Sequence, residues 1–408
     1  MAGNVINVLL VEDNPTDALL VRTTLAAAQE AAFTITHASY LEDAIQLCAS
    51  QEFNVMLLDL GLPDSQSLAT FEHAHAALSG IPILVLSGLG DDKVAMRAVE
   101  QGAQDYLPKL GVLEGLLPRA IRYSIERHRG QMELRRYAAE LERKNRELED
   151  ELTMARDIQQ ALLPHHYPHF AAHESELNFA HFYRPAAALS GDFFNILHLS
   201  DNQAGVLICD VMGHGVRAAL IGTLGRGLVD QFMPVASQPG EFLTDLNREF
   251  AETFKKGGID AFVTAFYYVA DLEERRITYS NAGHPNALVR RRENGTVDWL
   301  RADGDRKPPL GMVGNTRYRS FDSTLSEEDS ILLFTDGLFE AENPAGELYG
   351  RQRLLEAVGR HMDLPCRLLL DELVHETQEF AGREDFTDDV CLVGMDVVKN
   401  GAPTEHAA

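Results

Sequence analysis

Three successive textures along the chain predict a multidomain protein: an α/β doubly wound five-stranded parallel sheet, then a helical coiled-coil linker, then a C-terminal α+β layered sandwich. The first texture is a set of continuous apolar runs alternating with amphipathic segments, as expected of strands buried on both faces. The second is a long stretch rich in Arg, Glu and Leu and free of proline. The third is a series of short β-like runs with few crossover helices. At 408 residues the chain exceeds one comfortable core. The boundaries expected are 1–128, 129–165 and 170–400, with 401–408 a disordered tail.

From the N-terminus, VINVLLVED, a helix over 16–29, FTITHA, a helix over 40–50, NVMLLDL, a helix near 66–77, PILVLSG, a helix near 92–101, QDYLP and a helix over 112–128 make five βα units. In such sheets functional residues gather at the carboxyl ends of the strands. Glu12 and Asp13 follow the first strand, Asp59 the third, Ser87 the fourth and Lys109 the fifth. Acids at strand ends are individually commonplace, but five such groups on one frame point to a site. A magnesium ion would relieve the repulsion of three carboxylates. That leaves Asp59 as a nucleophile toward phosphorus, Lys109 to neutralise phosphoryl oxygens and Ser87 to hydrogen-bond the transferred group.

On VEDN, LLDLGLPD, LSG and YLPKL, residues 4–128 resemble the response-regulator receiver family, whose fold is flavodoxin-like. The resemblance implies that Asp59 accepts phosphate from a sensor histidine kinase. It implies that Asp13, Asp59 and the Gly61 carbonyl, beside Glu12, hold Mg2+, and that Tyr106 is the switch aromatic. The chain departs from the family at the fifth strand, where Pro108 precedes Lys109 and Leu110 follows it instead of proline. This puts the family's cis peptide in doubt.

The stretch RYSIERHRGQMELRRYAAELERKNRELEDELTMARDIQQALLP reads as one helix, with Leu134, Leu141, Leu148, Ala155 and Leu162 at d and Ala138, Asn145, Leu152 and Gln159 at a. Leucine at d with an Asn at a favours a parallel two-stranded coil, so a homodimer through 130–162 is expected. The plainer reading is an amphipathic helix packed on its own chain, with Asn145 facing water. His165, His166 and His169 follow in LLPHHYPHF, where two prolines suggest a solvated hinge rather than a metal site.

Beyond about 175, β-like runs (LNFAHFYRP, FFNILHL, AGVLICDV, AFVTAFYYVA, RITYSNAG, NALVRR, VDWL, RYRSFD, SILLFTDG, CLVGMDVV) flank helices at 214–233, 239–256, 349–360 and 366–381. Antiparallel sheets with outer helices follow. Within this second core stand GDFFN (Asp192), CDVMGHG (Asp210), LFTDGLFE (Asp336) and FTDDVCLV (Asp388, Asp389). Each alone is most simply a turn. Together, without Cys or His companions, they suit two Mn2+ or Mg2+ ions. Asp210 is the natural bridge, and Gly213 and Gly215 let the backbone turn past a metal and offer a carbonyl at Val211. Paired ions of this kind support in-line hydrolysis of a phosphate monoester without a covalent intermediate.

On ARDIQQALLP, SGDFFN, CDVMGHGVRAAL, SNAGHP, PPLGM, LFTDGLFE and DFTDDVCLV, residues 152–398 are similar to the metal-dependent type 2C-like (PPM) serine/threonine phosphatases of the sporulation and sigma-regulator subfamily. The resemblance implies dephosphorylation of phosphoserine or phosphothreonine on a partner protein, commonly an anti-sigma-factor antagonist. It also implies Asp192 and Asp210 on one metal and Asp210, Asp336 and Asp388 on the other. Asn195, Met212 and the Val390–Cys391 pair depart from the usual residues. Asp388 is favoured over Asp389 as ligand, because relatives keep Asp at its position and vary the next. His214 and His284 are read as structural before phosphate-side groups. The rival to an enzyme is an adaptor that binds a sigma factor or antagonist without turnover, which loss of the metal acids would signal.

A net charge of −26 argues against a nucleic-acid surface. The absence of a spanning apolar run or secretion signal argues for a cytoplasmic protein off the membrane. Cys48, Cys209, Cys366 and Cys391 are scattered among apolar neighbours, so reduced, buried thiols are expected, with neither disulfide nor zinc.

Overall fold

The computed structural model describes residues 5–399 except 30, 79, 89–91, 110, 111, 113, 114, 165 and 302–306. The expected tail and His165 therefore lie outside the described residues. The chain divides into two compact units, Met1–Glu147 and Leu148–Ala408.

In the first unit, β1 (Ile6–Val11), α1 (Pro15–Ala26), β2 (Phe33–Ala38), α2 (Leu41–Ser50) and β3 (Val55–Asp59) follow in turn. A small hairpin of β4 (Gly61–Leu62) and β5 (Ser65–Gln66) leads to α3 (Leu68–Ala77), β6 (Ile83–Ser87), α4 (Asp92–Glu100) and β7 (Asp105–Pro108). The sheet order is β2-β1-β3-β6-β7, every pair parallel. Because both faces are covered, alternate residues of one strand feed two separate cores. Leu9, Val11, Met56, Leu58 and Val85 enter one; Val8, Leu10, Val55, Leu57 and Leu84 enter the other. The uninterrupted apolar runs are the sequence image of that double burial. Asn14 caps α1, its side-chain oxygen accepting from Thr16 N at 2.9 Å, with Pro15 next. No described peptide bond is cis, and Pro108 stands ahead of Lys109.

The fifth helix of this unit and the linker are one element, α5 (Leu117–Ala161), instead of two. Its root is apolar, with Leu117 and Ile121 fully buried beneath the sheet. The next residues carry the unpartnered seam: Leu134, Leu141 and Leu148 are 57–70% exposed and Asn145 is exposed in the single chain. The expected seam does not continue unchanged to 162. Leu152, Ala155 and Gln159 are half-buried, and Gln159 is hydrogen-bonded to Ser190 of the same chain, so these a and d positions are turned onto the second unit itself, whereas Leu162 remains exposed.

The second unit is a sandwich of two antiparallel sheets with helices outside. After the short β8 (Ala171–Ala172) come β9 (Ser175–Arg184), β10 (Phe193–Ser200), β11 (Gln203–Val211), α6 (Val216–Gln231) and α7 (Pro239–Gly257). Then follow β12 (Val263–Asp271), β13 (Arg276–Ala282), β14 (Leu288–Arg291), β15 (Thr296–Trp299), β16 (Phe321–Thr324) and β17 (Asp329–Phe334). The last elements are α8 (Gly350–Arg360), α9 (Cys366–Ala381) and β18 (Val390–Lys399). One sheet runs β10-β11-β12-β13-β16 and the other β15-β14-β17-β18-β9-β8. Alternation sorts the strands. On β11, Val206 and Ile208 face the opposite sheet, whereas Leu207, Cys209 and Val211 face α6 and α7. Helices α8 and α9 cover the second sheet through Leu354, Val358, Leu369 and Leu373.

All four cysteines are free; Cys209, Cys366 and Cys391 are buried and Cys48 is only half-buried. Among the described residues no helix is long and apolar enough to cross a membrane. The largest fully buried side chain is Arg290, which donates to His361 O at 2.7 Å and Ser330 Oγ at 2.9 Å and pairs with buried Asp396 at 3.4 Å. Asp396 also accepts from Cys366 N at 2.6 Å, which pins the start of α9 to β18. Removing one partner of such a pair strands a buried charge. Arg290→Ala is therefore expected to destabilise the C-terminal unit by about 3–5 kcal/mol. A urea melt of the variant with an unchanged midpoint would refute that role.

Candidate functional site

The first unit brings its predicted groups together at the carboxyl end of the sheet. Glu12, Asp13 and Asp59 each place one oxygen within 4.8 Å of the others, the geometry a single hard cation requires. Gly61 sits close enough that a Cβ there would lie 3.9 Å from Asp59 Oδ2. Lys109 Nζ lies 2.9 Å from Glu12 Oε2, 3.2 Å from Asp59 Oδ2 and 2.7 Å from Asp17 Oδ2. Asp17 went unnoticed in the sequence because it lies one turn into α1 rather than at a strand end. Burial works against the Lys109 charge, but hydrogen bonds to Asp17 and Glu12 and the Asp59 charge outweigh it and hold the ammonium far up. Burial, reinforced by Asp59, pushes fully enclosed Glu12 to about 7 despite its bond to Lys109. Ser87 is buried and its Oγ has no partner among the described residues. Tyr106, one residue along β7 from Leu107, is half-buried against the α4 side of the core.

The acids of the second unit meet at one end of the sandwich, two from each sheet. Asp192 immediately precedes β10 and Asp210 is the penultimate residue of β11. The register Phe193↔Cys209 continues to set the two opposite each other. Asp336 opens a 3-10 turn just beyond β17, and Asp388 sits just before β18. Gly213 and Gly215, at φ 88° and 82°, turn the chain from β11 into α6, and Val211 before them is buried. Gly337 permits the Asp336 turn to press on the 388–389 backbone, since a Cβ there would meet the Asp389 carbonyl.

Crowding of like charges out of water governs this end. Burial, then Asp210 and Asp389, raise Asp192 well above the ordinary carboxyl range. Burial, then Asp336 and Asp388, push Asp210 up to about 7, and burial, then Glu340 and Asp388, push Asp336 up to about 6. Asp192 Oδ2 is buried without a partner. No three of these acids bring one oxygen each within 4.8 Å, in contrast to the first unit. The donor set nevertheless fits hard divalent cations: all-oxygen, mutually repelling, with an orphaned carboxylate oxygen aimed inward.

Asp388 and Asp389 differ in burial and in their hydrogen bonds. Asp389 is buried, and both its oxygens are committed, Oδ1 accepting from Ala186 N at 2.8 Å and Oδ2 from Gly191 N at 3.0 Å. It anchors the loop that delivers Asp192. Asp388 is exposed, its Oδ1 accepting only from Asp389 N, at 2.8 Å, among the described residues. Thr335, Ser190 and Gln159 were not foreseen as site residues. Thr335 Oγ1 accepts from Cys391 N at 3.0 Å and donates to Asp389 O at 3.3 Å, and its nearness favours the charged form of Asp192. Ser190 Oγ accepts from Asp192 N at 3.0 Å. Gln159 Nε2 donates to Ser190 O at 2.7 Å, and its Oε1 accepts from Ser190 N at 3.1 Å. Next to it Arg156 Nε donates to Ala188 O at 2.8 Å. The end of α5 is thus part of the cradle of Asp192. His214 is exposed, His284 is buried, and His166 and His169 join no group of metal-ligating side chains among the described residues.

Residues 200–398 match the family model for Stage II sporulation protein E (SpoIIE), and residues 8–119 match the response regulator receiver domain. The chain is 29% identical over 217 residues to phosphoserine phosphatase RsbP of Bacillus subtilis (strain 168), covering 53% of this chain and 51% of RsbP. It is 28% identical over 246 residues to phosphoserine phosphatase RsbU of the same organism, covering 59% of this chain and 69% of RsbU. The chain thus spans only about half the length of RsbP. The SiaA-PP2C domain of Pseudomonas aeruginosa shares its fold, with a TM-score of 0.53 at 19% identity over 62% of this chain and 98% of that domain.

Because folded Asp210 keeps its proton up to about 7 rather than 3.8, the folded state binds more protons across that window. Stability of the metal-free unit therefore falls as pH rises through it. A cation must displace those protons, so Mn2+ affinity of the full chain is expected to rise between about pH 5.5 and about pH 7.5, with proton release on binding. Calorimetry in two buffers checks this; a pH-independent affinity would refute it, and Asp210→Asn should flatten the slope.

Proposed function

We propose, from a chain that carries a response-regulator receiver domain at its N-terminus and a SpoIIE/PP2C-type phosphatase domain at its C-terminus, that receiver phosphorylation controls a metal-dependent phosphoprotein phosphatase. The supporting observation is the convergence of Asp192, Asp210, Asp336 and Asp388 from two sheets onto one charge-crowded end, in a chain that also assembles Glu12, Asp13, Asp59, Ser87 and Lys109. We assign the receiver to 1–128, the linker to 129–165 and the phosphatase to 170–400.

Asp192 and Asp210 would hold one Mn2+ or Mg2+, and Asp210, Asp336 and Asp388 a second, with the Val211 carbonyl at hand. Bound there, such ions activate solvent and neutralise phosphoryl charge. The chain's own contribution is placement. Asp389 and Ser190 fix the Asp192 loop, Gly337 sets the Asp336 turn, and no protein nucleophile is required. In the receiver, Asp13, Asp59 and the Gly61 carbonyl, beside Glu12, would hold Mg2+. A phosphoryl group on Asp59 would draw Lys109 and the unpartnered Ser87 hydroxyl, biasing β7 and Tyr106. Helix α5 runs from the receiver core to the Gln159–Ser190 bonds, so a change in its dimer geometry reaches the loop before Asp192.

The upstream partner is then a sensor histidine kinase. The substrate class is a phosphoserine or phosphothreonine protein, with an anti-sigma-factor antagonist favoured by likeness to the sigma-regulator phosphatases and to RsbP and RsbU. The non-catalytic adaptor is disfavoured because all four acids are present and close enough to act on one another's charge.

With Mn2+ and a phosphoserine antagonist protein, the full chain is expected to release phosphate, and Asp210→Asn to lower turnover about 100-fold. Equal rates for both would favour the adaptor. In sedimentation experiments the chain is expected to be dimeric through Leu134, Leu141 and Leu148, and Asn145→Leu to yield mixed oligomers as register is lost. A wild-type monomer at micromolar concentration would remove the linker from the mechanism.

A further inference from the structure

A lysine ammonium has three N–H bonds to donate and no acceptor. Lys109 directs its three at carboxylates, with Glu12 Oε2 at 2.9 Å, Asp17 Oδ2 at 2.7 Å and Asp59 Oδ2 at 3.2 Å. Its donor capacity is therefore filled while Asp59 is a free carboxylate. Any further acceptor at this end of the sheet must displace one of the three.

The three acceptors are held differently. The Glu12 side chain is fully enclosed, and its Oε1 also accepts from Asn14 N at 3.2 Å. Asp59 ends β3 and is 13% exposed. Asp17 stands in the first turn of α1, behind the Asn14 cap and Pro15, and is 30% exposed. It makes the shortest of the three contacts, yet it is the acceptor that water reaches most readily. The helix N-terminus also favours its charge when the lysine is gone.

Phosphorylation changes the set of acceptors. An Asp59 oxygen forms a bond to phosphorus as the bond from phosphorus to the donor's leaving group breaks, and that group departs with the electron pair. The single charge of the carboxylate gives way to the charge of about two on an acyl phosphate, with three phosphoryl oxygens beside the lysine. Ser87 ends β6 just past Leu86, the register partner of Asp59, and its buried Oγ has no partner among the described residues. That hydroxyl can donate to the new group without leaving another. The ammonium cannot.

We propose that Asp17 is a positioning residue that holds Lys109 in the unphosphorylated receiver and is the acceptor released when Asp59 takes up phosphate. It acts through Lys109 and sets how readily the receiver is phosphorylated, tying α1 to the end of β7 in the resting state alone. The inference rests on the reading of Asp59 as phosphoacceptor given above.

The test follows uptake and loss of label from radiolabelled acetyl phosphate, with Mg2+, on the full chain. The wild type is compared with Asp17→Asn, Asp17→Ala, Asp17→Glu, Lys109→Ala and the double variant Asp17→Asn with Lys109→Ala, and Asp59→Asn serves as the blank. For an ion pair exposed to this degree, Asp17→Asn and Asp17→Ala are expected to take up label about two- to fivefold faster at subsaturating donor. Loss of label after the donor is removed should match wild type, because the phosphorylated state no longer uses Asp17. Asp17→Glu keeps a carboxylate for Lys109 and should fall back toward the wild-type rate. In the Lys109→Ala background the gain should vanish. A structural role alone would slow uptake, and lowered repulsion of an anionic donor would persist without the lysine. Uptake by Asp17→Asn and Asp17→Ala no faster than wild type, or an equal gain without Lys109, would therefore overturn the inference. Wild-type chain labelled no better than Asp59→Asn would instead overturn the reading on which the inference stands.

Discussion

Repulsion among carboxylates withdrawn from water is the constraint on which the C-terminal unit depends. Two unit charges about 4 Å apart interact by roughly 4 kcal/mol at the effective dielectric of a protein surface, against about 1 kcal/mol in water. Burial first, and then the neighbouring charges, raise Asp192, Asp210 and Asp336 above their ordinary range. Such a cluster persists only because the backbone carrying it is held by other groups. Asp389 accepts two amides of the Asp192 loop, Thr335 and Ser190 bond around it, and the Asp336 turn is wedged on Gly337. The receiver faces the same difficulty with Glu12, Asp13 and Asp59 but carries its own remedy, the Lys109 ammonium. One site is partly neutralised from within; on the proposed reading the other is neutralised by bound cations.

That contrast explains why the two acid sets differ in geometry. With Lys109 present, three receiver oxygens can approach within 4.8 Å. The phosphatase acids have no equivalent ammonium among the described residues, and no three of them meet that closely. The division between Asp388 and Asp389 follows the same logic. A carboxylate with both oxygens committed to amides is poorly placed to serve a cation, whereas exposed Asp388 retains that freedom.

The sequence made the frame of both units legible because burial leaves a periodic trace. Leu9 and Leu10 feed opposite faces of one sheet, which is why β1 is continuously apolar; Ile208 and Cys209 do the same on β11. The acids were legible because DG, DD and GD turns beside apolar runs recur in one unit. Partners that meet only in three dimensions left no such trace. Asp17 looks like an ordinary first-turn acid of α1, and Thr335 like a strand residue. Gln159 fits a heptad a position, yet it faces its own chain, because the seam periodicity cannot tell a partner helix from a neighbouring loop. The fusion of the fifth receiver helix with the linker was equally hard to see, since Gly130 stands beside the expected boundary and could end a helix, yet α5 runs through it.

The end of α5 is also where the magnitudes are right for control. Gln159 and Arg156 make three hydrogen bonds to the Ala188 and Ser190 backbone, and net contributions of about 0.5–1.5 kcal/mol each sum to a few kcal/mol. A conformational equilibrium shifts tenfold for every 1.4 kcal/mol or so of differential interaction. Gaining or losing this latch is thus enough to change the population of a correctly placed Asp192 by one to three decades, without touching the opposite sheet. Asp336 and Asp388 have no comparable tie to α5. On the proposed reading, regulation acts through the Asp192 loop, while the sheet-to-sheet spacing stays constant; a switch that also loosened the sandwich would have to overcome its whole apolar core.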